Sequence, residues 1–243
     1  MTALKLSSAR DVLSLTTEAD ILSAGFKLDE NGMFALTKEN SQKAYDCICM
    51  NPKYKAAHME YYEKLGEKSL ASYSLSEWQE MIWIIAASNS TRSAKKNTKS
   101  MGKYIFNNKD AFLEKLKSGE FSLVDSLAFG KDYTRHENSL ASKVCSYLCR
   151  LEYKKALFPI NDKVIRTMLP YYLGYYEVVN VQTSDLDRMS YVELAELLKK
   201  LKTKAGGSLT YYDIDQVIWW CYRNDPVRQT VANVLAKKTS LKK

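Results

Sequence analysis

Apolar side chains recur at helical spacing through most of this 243-residue chain, which contains only 9 glycines and 4 prolines. Two clear stripes are Trp78, Met81, Ile82, Ile85, Ala86 and Leu140, Val144, Leu148, Leu151. A repeat near 3.6 residues marks the buried face of an amphipathic helix, and few glycines or prolines are present to break it. The sequence therefore predicts a mainly helical, compact protein, which we expect to be a single unit over residues 1–243.

One segment near the start departs from this helical pattern. Between Gly25 and Lys38, two short runs of alternating apolar residues flank the dipeptide Asn31-Gly32. Such a dipeptide tolerates positive φ and suits a tight hairpin turn. We expect a small N-terminal β-hairpin with accompanying helices over residues 1–73, followed by a helical core that carries the site over residues 74–243.

Several helix ends can be read from local signals. Ser74-x-x-Glu77 and Ser190-x-x-Glu193 have the spacing of capping boxes, in which a hydroxyl and a carboxylate satisfy reciprocal backbone N–H groups. Gly119 is expected to end a short helix, because glycine readily adopts the left-handed conformation of a helix C-terminus. A helix that begins just after Asp162 is expected to end at Pro170.

Composition narrows the class of protein. No apolar run approaches the length that crosses a bilayer, and the N-terminal residues lack the pattern of a secretory signal, so we expect a cytoplasmic protein. Five cysteines are an odd number, which favours free thiols over a disulfide framework. The two histidines do not have zinc-finger spacing, and neither a metal nor a cofactor is predicted.

Positive charge is concentrated in one stretch. The chain has 36 Lys+Arg and 28 Asp+Glu, a net charge of +8. Residues 92–117 alone hold eight basic and two acidic residues, a net charge of +6. The basic residues are Arg92, Lys95, Lys96, Lys99, Lys103, Lys109, Lys115 and Lys117. This concentration indicates a polyanion such as nucleic acid as the partner, and a solvated helix face with a basic C-terminal tail remains the alternative.

A lysine and an aspartate are the candidates for chemistry. Lys143 follows Ser142 in the first turn of one predicted helix, and Asp162 stands nineteen positions later at the start of the next. A neutral lysine amine can attack the anomeric carbon of a sugar, and a nearby carboxylate can stabilise the positive charge that develops on the ring. A surface lysine and an ordinary helix cap would have the same spacing.

Three motifs in order carry a resemblance to a known family. A helix ending in Ala87-Ser88-Asn89, the start Ser142-Lys143 and Pro159 followed by Asp162 resemble the helix-hairpin-helix DNA glycosylase superfamily, in particular the 8-oxoguanine DNA glycosylases. The similarity covers about residues 74–168. It implies a helix-hairpin-helix glycosylase-like fold, with Lys143 as the nucleophile that displaces a damaged base, Asp162 assisting, and Asn89 filling the gap left by the extruded nucleotide.

The same resemblance implies further roles. Its partner would be double-stranded DNA with a flipped modified base, held by Asn89, Arg92, Lys95, Lys96, Lys99, Lys103 and Arg135. A base pocket would lie against the last helix, at Asp215, Trp219 or Tyr222. The four tryptophans are otherwise expected to lie mostly in the core. Oxidised guanine is the implied target, with modified pyrimidines as an open alternative, and strand nicking by AP lyase chemistry could follow base removal.

The sequence also departs from the family pattern. Residues 135–142 stand where the family has a glycine-rich hairpin but contain no glycine, so Arg135 is the candidate for holding the phosphate instead. The aspartate lies three positions after Pro159 rather than two, which leaves Asn161 as a competitor for its role. A non-catalytic DNA-binding module on the same scaffold, with a role in phage or genome defence, and a helical protein-interaction domain are the alternative functions.

Overall fold

The computed structural model describes residues 25–31, 33–50, 68–88, 93–130 and 136–223. Ten α-helices lie in these ranges: α1 Lys38–Met50, α2 Leu75–Ser88, α3 Lys95–Asn107, α4 Lys109–Ser118, α5 Ser122–Ala128, α6 Asn138–Tyr153, α7 Lys163–Tyr175, α8 Thr183–Leu186, α9 Tyr191–Lys204 and α10 Tyr211–Tyr222. A single 3-10 turn, Leu70–Ser72, precedes α2. The prediction of a mainly helical protein is confirmed. Across these ranges no helix is long and apolar enough to cross a membrane.

Local capping signals place several helices where the sequence predicted them. The Glu77 carboxylate accepts a hydrogen bond from the backbone N–H of Ser74 at 2.7 Å, and the Glu193 carboxylate accepts one from Ser190 at 2.8 Å. These bonds precede α2 and α9. Gly119 follows α4 with φ of 77°, the left-handed conformation predicted for it. Each of these signals acts within four residues, which is why the sequence alone reveals them.

The predicted N-terminal hairpin lies only partly within the described residues. Leu28 and Phe34 form an isolated antiparallel bridge, and the backbone N–H of Asp29 donates to Met33 O at 2.7 Å. Gly32, in the expected turn, falls outside the described residues. The hairpin therefore stays a prediction.

The prediction that Pro170 ends a helix is wrong. Pro170 lies inside α7, which continues to Tyr175. Proline removes one backbone hydrogen bond, but the residues that follow it are held by tertiary contacts. Tyr172 is fully buried and its hydroxyl donates to Phe34 O at 2.7 Å. Burial of the aromatic side chains thus outweighs the local preference of proline.

The chain groups into two compact units, each built from segments distant in sequence. Residues 51–162 and 189–196 form one, here called the Lys143 unit. Residues 1–50, 163–188 and 197–243 form the other, here called the Asp213 unit. The sequence predicted a single unit over residues 1–243, with an internal boundary between residues 73 and 74. In the Asp213 unit, α10 packs against both α1 and α7.

The core of the Lys143 unit is formed by α2 to α6, with the first residues of α9. The predicted stripes on α2 and α6 are buried, as their spacing indicated. Trp78 and Phe112 meet edge to face at a ring distance of 5.7 Å within this core. The buried stripe of α6 fixes the rotation of that helix and hence the direction in which Lys143 projects.

Helices α2 and α3 approach each other closely at a glycine. A Cβ atom placed on Gly102 would lie 2.8 Å from Gln79 Cα, closer than packed atoms approach. The absence of a side chain at Gly102 therefore lets α3 lie directly against α2. Asn97, Thr98, Met101 and Ile105 complete the buried side of α3, which leaves its lysines on the outside.

Candidate active site

Lys143 projects from the second turn of α6. It is the sixth residue of this helix, which starts at Asn138. The prediction that Lys143 lies in the first turn is therefore wrong. The electrostatic effect of a helix N-terminus is largest in the first turn, so its influence on the amine is weaker than expected from the sequence.

The structure brings Lys143 and Asp162 together. Lys143 Nζ lies 3.3 Å from Asp162 Oδ2, and the two side chains are 8% and 9% exposed. Of the two side chains left open by the sequence, the carboxylate of Asp162 is the one in contact with the amine. An ion pair this well shielded from water is rare, because both charges lose their hydration.

Two buried hydroxyls hold the segment that carries Asp162. Asn161 donates its backbone N–H to Ser142 Oγ at 3.0 Å, and Ser142 Oγ donates to Ser139 O at 3.1 Å. Tyr191, the first residue of α9, donates its hydroxyl to Pro159 O at 2.7 Å. The extended segment 159–162 is thus fixed at both ends. Neither hydroxyl was predicted from the sequence as part of the site.

Asn161 adds a buried acceptor next to the pair in sequence. The residue is 4% exposed, and no described residue donates a hydrogen bond to its Oδ1 atom. Buried polar atoms normally have a partner in the protein or in ordered water. Water or a bound molecule can satisfy this oxygen.

Glu137 is a further buried carboxylate in the same unit. It is 3% exposed, and it accepts hydrogen bonds from Ser93 Oγ at 2.6 Å and from Asn97 Nδ2 at 2.7 Å. These contacts connect the residue before α6 to the start of α3. The helix that carries Lys143 is therefore tied to the helix that carries most of the predicted DNA-binding lysines.

The predicted DNA-binding lysines lie on the exposed side of α3. Lys95, Lys96, Lys99 and Lys103 are all exposed, and the helix contains no acidic residue. None of the four forms an ion pair with a residue in the described ranges. The remaining predicted DNA contacts, Asn89, Arg92 and Arg135, lie outside the described residues.

The predicted base-pocket residues belong to the Asp213 unit. Tyr222 is fully buried; its hydroxyl accepts a hydrogen bond from Phe34 N at 3.1 Å and lies 3.2 Å from Tyr172 Oη. Asp215 is 7% exposed and accepts a hydrogen bond from Gln216 Nε2 at 3.4 Å. Trp219 is half-buried. In this structure Tyr222 presents no surface on which a base could lie.

The described part of the chain contains no candidate metal site. No group of three or more His, Cys, Asp or Glu side chains is close enough there to hold an ion. Comparison with family models, curated proteins and solved structures yields no match to this chain. Function must therefore be inferred from the chemistry of the residues themselves.

Proposed function

We propose that this protein is a DNA glycosylase with a helix-hairpin-helix glycosylase-like fold, acting in the cytoplasm on a modified base flipped out of double-stranded DNA. The observation that supports this most is the 3.3 Å contact between Lys143 Nζ and Asp162 Oδ2. Displacement of a base by an amine requires a lysine and is assisted by a carboxylate, and the contact shows these two groups side by side.

The proposed reaction begins with extrusion of the base, because a stacked nucleotide cannot present its C1′ atom to a buried amine. The neutral amine of Lys143 attacks C1′, the bond from C1′ to the base breaks, and the base leaves with the bonding electrons and takes up a proton. Asp162 stabilises the positive charge on the sugar in the transition state. It is also placed to accept the proton that the Lys143 ammonium releases and to pass that proton to the departing base, which restores the carboxylate.

Strand nicking would follow from the same amine. Opening of the sugar ring converts the adduct at Lys143 into an imine, and loss of a proton from C2′ then allows elimination of the 3′ phosphate. This is the AP lyase step. Oxidised guanine is the first target to test, and modified pyrimidines are the second.

DNA binding is supported by the uncompensated lysines of α3. Four exposed lysines with no carboxylate partner among the described residues create a positive surface in the same unit as Lys143. Release of counterions from DNA would make the affinity fall steeply with added salt.

The test is a panel of duplex oligonucleotides, each with one modified base, read for base release by alkaline cleavage and for nicking without alkali. We expect one substrate to be cleaved by the native protein and not by Lys143→Gln. Lys38→Gln, a lysine paired with Asp213 in the other unit, is the matched control and should cleave normally.

A non-catalytic DNA-binding module, in genome defence for example, is the second candidate. It is favoured by the burial of the pair, since side chains only 8% and 9% exposed must be uncovered before a sugar can reach them. This function predicts that Lys143→Gln retains native DNA affinity and that no substrate of the panel is cleaved by the native protein.

A further inference from the structure

Trp83 is an exposed tryptophan on an otherwise well-buried helix. Its side chain is 40% exposed, whereas Trp78 on the same helix is fully buried. The expectation that the tryptophans lie mostly in the core therefore does not describe Trp83. Its position is off the apolar stripe of α2, so it contributes little to the core and leaves a large aromatic surface in solvent.

The neighbours of Trp83 are the lysines of α3. Lys95 Nζ lies 5.8 Å from the centre of the Trp83 ring, within the range of a cation–π contact. One turn back along α2, Gln79 Nε2 donates to Lys99 O at 3.2 Å. With Gly102 packed against Gln79, these contacts fix α2 and α3 side by side. Trp83 and the lysines of α3 thus form one surface, here called the Trp83 face.

The charge on the Trp83 face is not offset within α3. Lys95 and Lys96 occupy the first turn of that helix, where the partial positive charge of the helix end adds to theirs. Ala94, at the N-cap position, makes no side-chain cap. No acidic residue occurs in the sequence between Glu80, on the exposed side of α2, and Asp110 in α4. Folding alone gains nothing from collecting like charges at this helix end.

We infer that the Trp83 face binds an unpaired strand of DNA, with the Trp83 ring stacked on a base and Lys95, Lys99 and Lys103 against the phosphates. The inference rests on the proposed DNA partner but not on the proposed cleavage. Aromatic rings flanked by basic residues are the usual means of holding single strands, because stacking needs a base face that is free. Bases inside a duplex already stack on each other, and only an unpaired base can present its face to Trp83.

The test compares two ligands of equal length and charge: a fluorescent twelve-nucleotide oligothymidylate and the same backbone with abasic sites at every position. Stacking of one base is expected to make the native protein prefer the thymidylate by roughly 5- to 150-fold. Trp83→Ala should bind both ligands equally. Trp83→Phe keeps an aromatic ring and should retain most of the preference.

The lysines should act differently from the tryptophan in the same assay. The double variant Lys95→Gln with Lys99→Gln should weaken binding of both ligands equally. The slope of the logarithm of the binding constant against the logarithm of the salt concentration should become shallower by about 1.4, at about 0.7 for each phosphate contact on a single strand. Lys199→Gln with Lys200→Gln, exposed lysines of α9, makes the same change in net charge and should leave the salt dependence nearly native.

Three results would overturn the inference: equal binding of both ligands by the native protein, an unchanged preference in Trp83→Ala, or conversion of a native dimer to a monomer by Trp83→Ala in sedimentation. The last would assign the face to self-association. Lys38→Gln, in the Asp213 unit, should bind both ligands as the native protein does. A preserved thymidylate preference without base release would contradict the glycosylase alone, whereas base release without the preference would contradict the Trp83 face alone.

Discussion

Each unit of the molecule contains a lysine–aspartate pair, and the two pairs are built in opposite ways. Lys38 Nζ lies 2.5 Å from Asp213 Oδ2, and the Lys38 side chain is 52% exposed. Lys143 Nζ lies 3.3 Å from Asp162 Oδ2, and the Lys143 side chain is 8% exposed. The first lysine remains largely in water, whereas the second is withdrawn from it with a longer contact to its partner.

Asp213 shows what a structural carboxylate in this protein looks like. Besides Lys38, it accepts hydrogen bonds from the backbone N–H and hydroxyl of Thr210, both at 2.6 Å, and from Ser41 Oγ at 2.8 Å. These bonds cap α10 and tie it to α1. Burial alone would raise the pKa of Asp213, but the hydrogen bonds from Lys38, Thr210 and Ser41 together hold that pKa below its ordinary value of 3.8.

The two pairs differ in their roles: Asp213 supports the fold, whereas Lys143 and Asp162 are the groups of the proposed reaction. Asp213 accepts three hydrogen bonds from Thr210 and Ser41 besides the one from its lysine. Lys38 therefore adds little to the stability of the fold. Asp162 is the only carboxylate within ion-pair distance of Lys143 among the described residues. A buried ion pair is often less stabilising than apolar side chains of the same size. Stability alone therefore does not account for the burial of Lys143.

The largest expected effect is at Asp162. Asp162→Asn leaves the Lys143 ammonium buried without its counter-charge, which should lower the free energy of unfolding by about 3–5 kcal/mol. Chemical denaturation measures this loss. The double variant Lys143→Met with Asp162→Leu removes both charges and should recover most of the stability while remaining inactive. If Asp162→Asn lowered the free energy of unfolding by less than about 1 kcal/mol, the buried pair would contribute no more than the exposed one, which would contradict this comparison.

A smaller effect is expected at Ser142. Ser142→Ala leaves the buried N–H of Asn161 without its acceptor, which should cost about 1–3 kcal/mol. Because this bond holds the segment that carries Asp162, base release should also slow. Ser41→Ala, which removes one of several donors to Asp213, is the control and should cost about 1 kcal/mol or less without slowing base release. Equal effects on base release would contradict a positioning role for Ser142.

Removal of the helix cap at Thr210 should lower the free energy of unfolding by less than the Ser142 substitution does. Thr210→Ala removes the hydroxyl that accepts from Asp213 N at 3.2 Å and donates to the Asp213 carboxylate. A loss of about 1 kcal/mol in thermal or chemical unfolding is expected, as for other N-cap residues. Base release should be native, because this cap belongs to the Asp213 unit. A marked loss of base release would place Asp213 in the same functional class as Asp162.

The smallest effect is expected at Lys38. Lys38→Met should cost less than about 1 kcal/mol at neutral pH, because the lysine is half exposed. The folded pKa of Asp213 lies below 3.8, so its contribution is present above that pH and is lost as the pH falls through the folded value. Unfolding of Asp213→Asn should therefore depend less steeply on pH below about 4 than unfolding of the native protein. An unchanged acid dependence would contradict this account of Asp213.

The sequence predicted those features that depend on neighbouring residues. The capping boxes at Ser74 and Ser190 and the end of α4 at Gly119 were all placed correctly because each uses contacts within four residues. Lys143 and Asp162 were also the candidate pair from the sequence, although the nineteen-residue spacing alone did not require their contact. Which of Asn161 and Asp162 touches the amine required the three-dimensional arrangement.

Features that depend on distant residues could not be found from the sequence. Tyr191 reaches Pro159 from a helix about thirty residues later, and no local pattern indicates that contact. Pro170 looked like a helix end because the burial of Tyr172 could not be seen. Trp83 was detectable in principle, because its position on α2 lies off the apolar stripe.

Trapping with borohydride tests the central claim most directly. Borohydride reduces an imine between Lys143 and the opened sugar to a stable amine, which appears as a covalent protein–DNA adduct on a denaturing gel. We predict an adduct with the native protein and with Lys38→Gln, peptide mapping that places it on Lys143, and none with Lys143→Gln. An adduct of native yield in Lys143→Gln, or none in a native protein that releases the base, would contradict the assignment of Lys143 as the nucleophile.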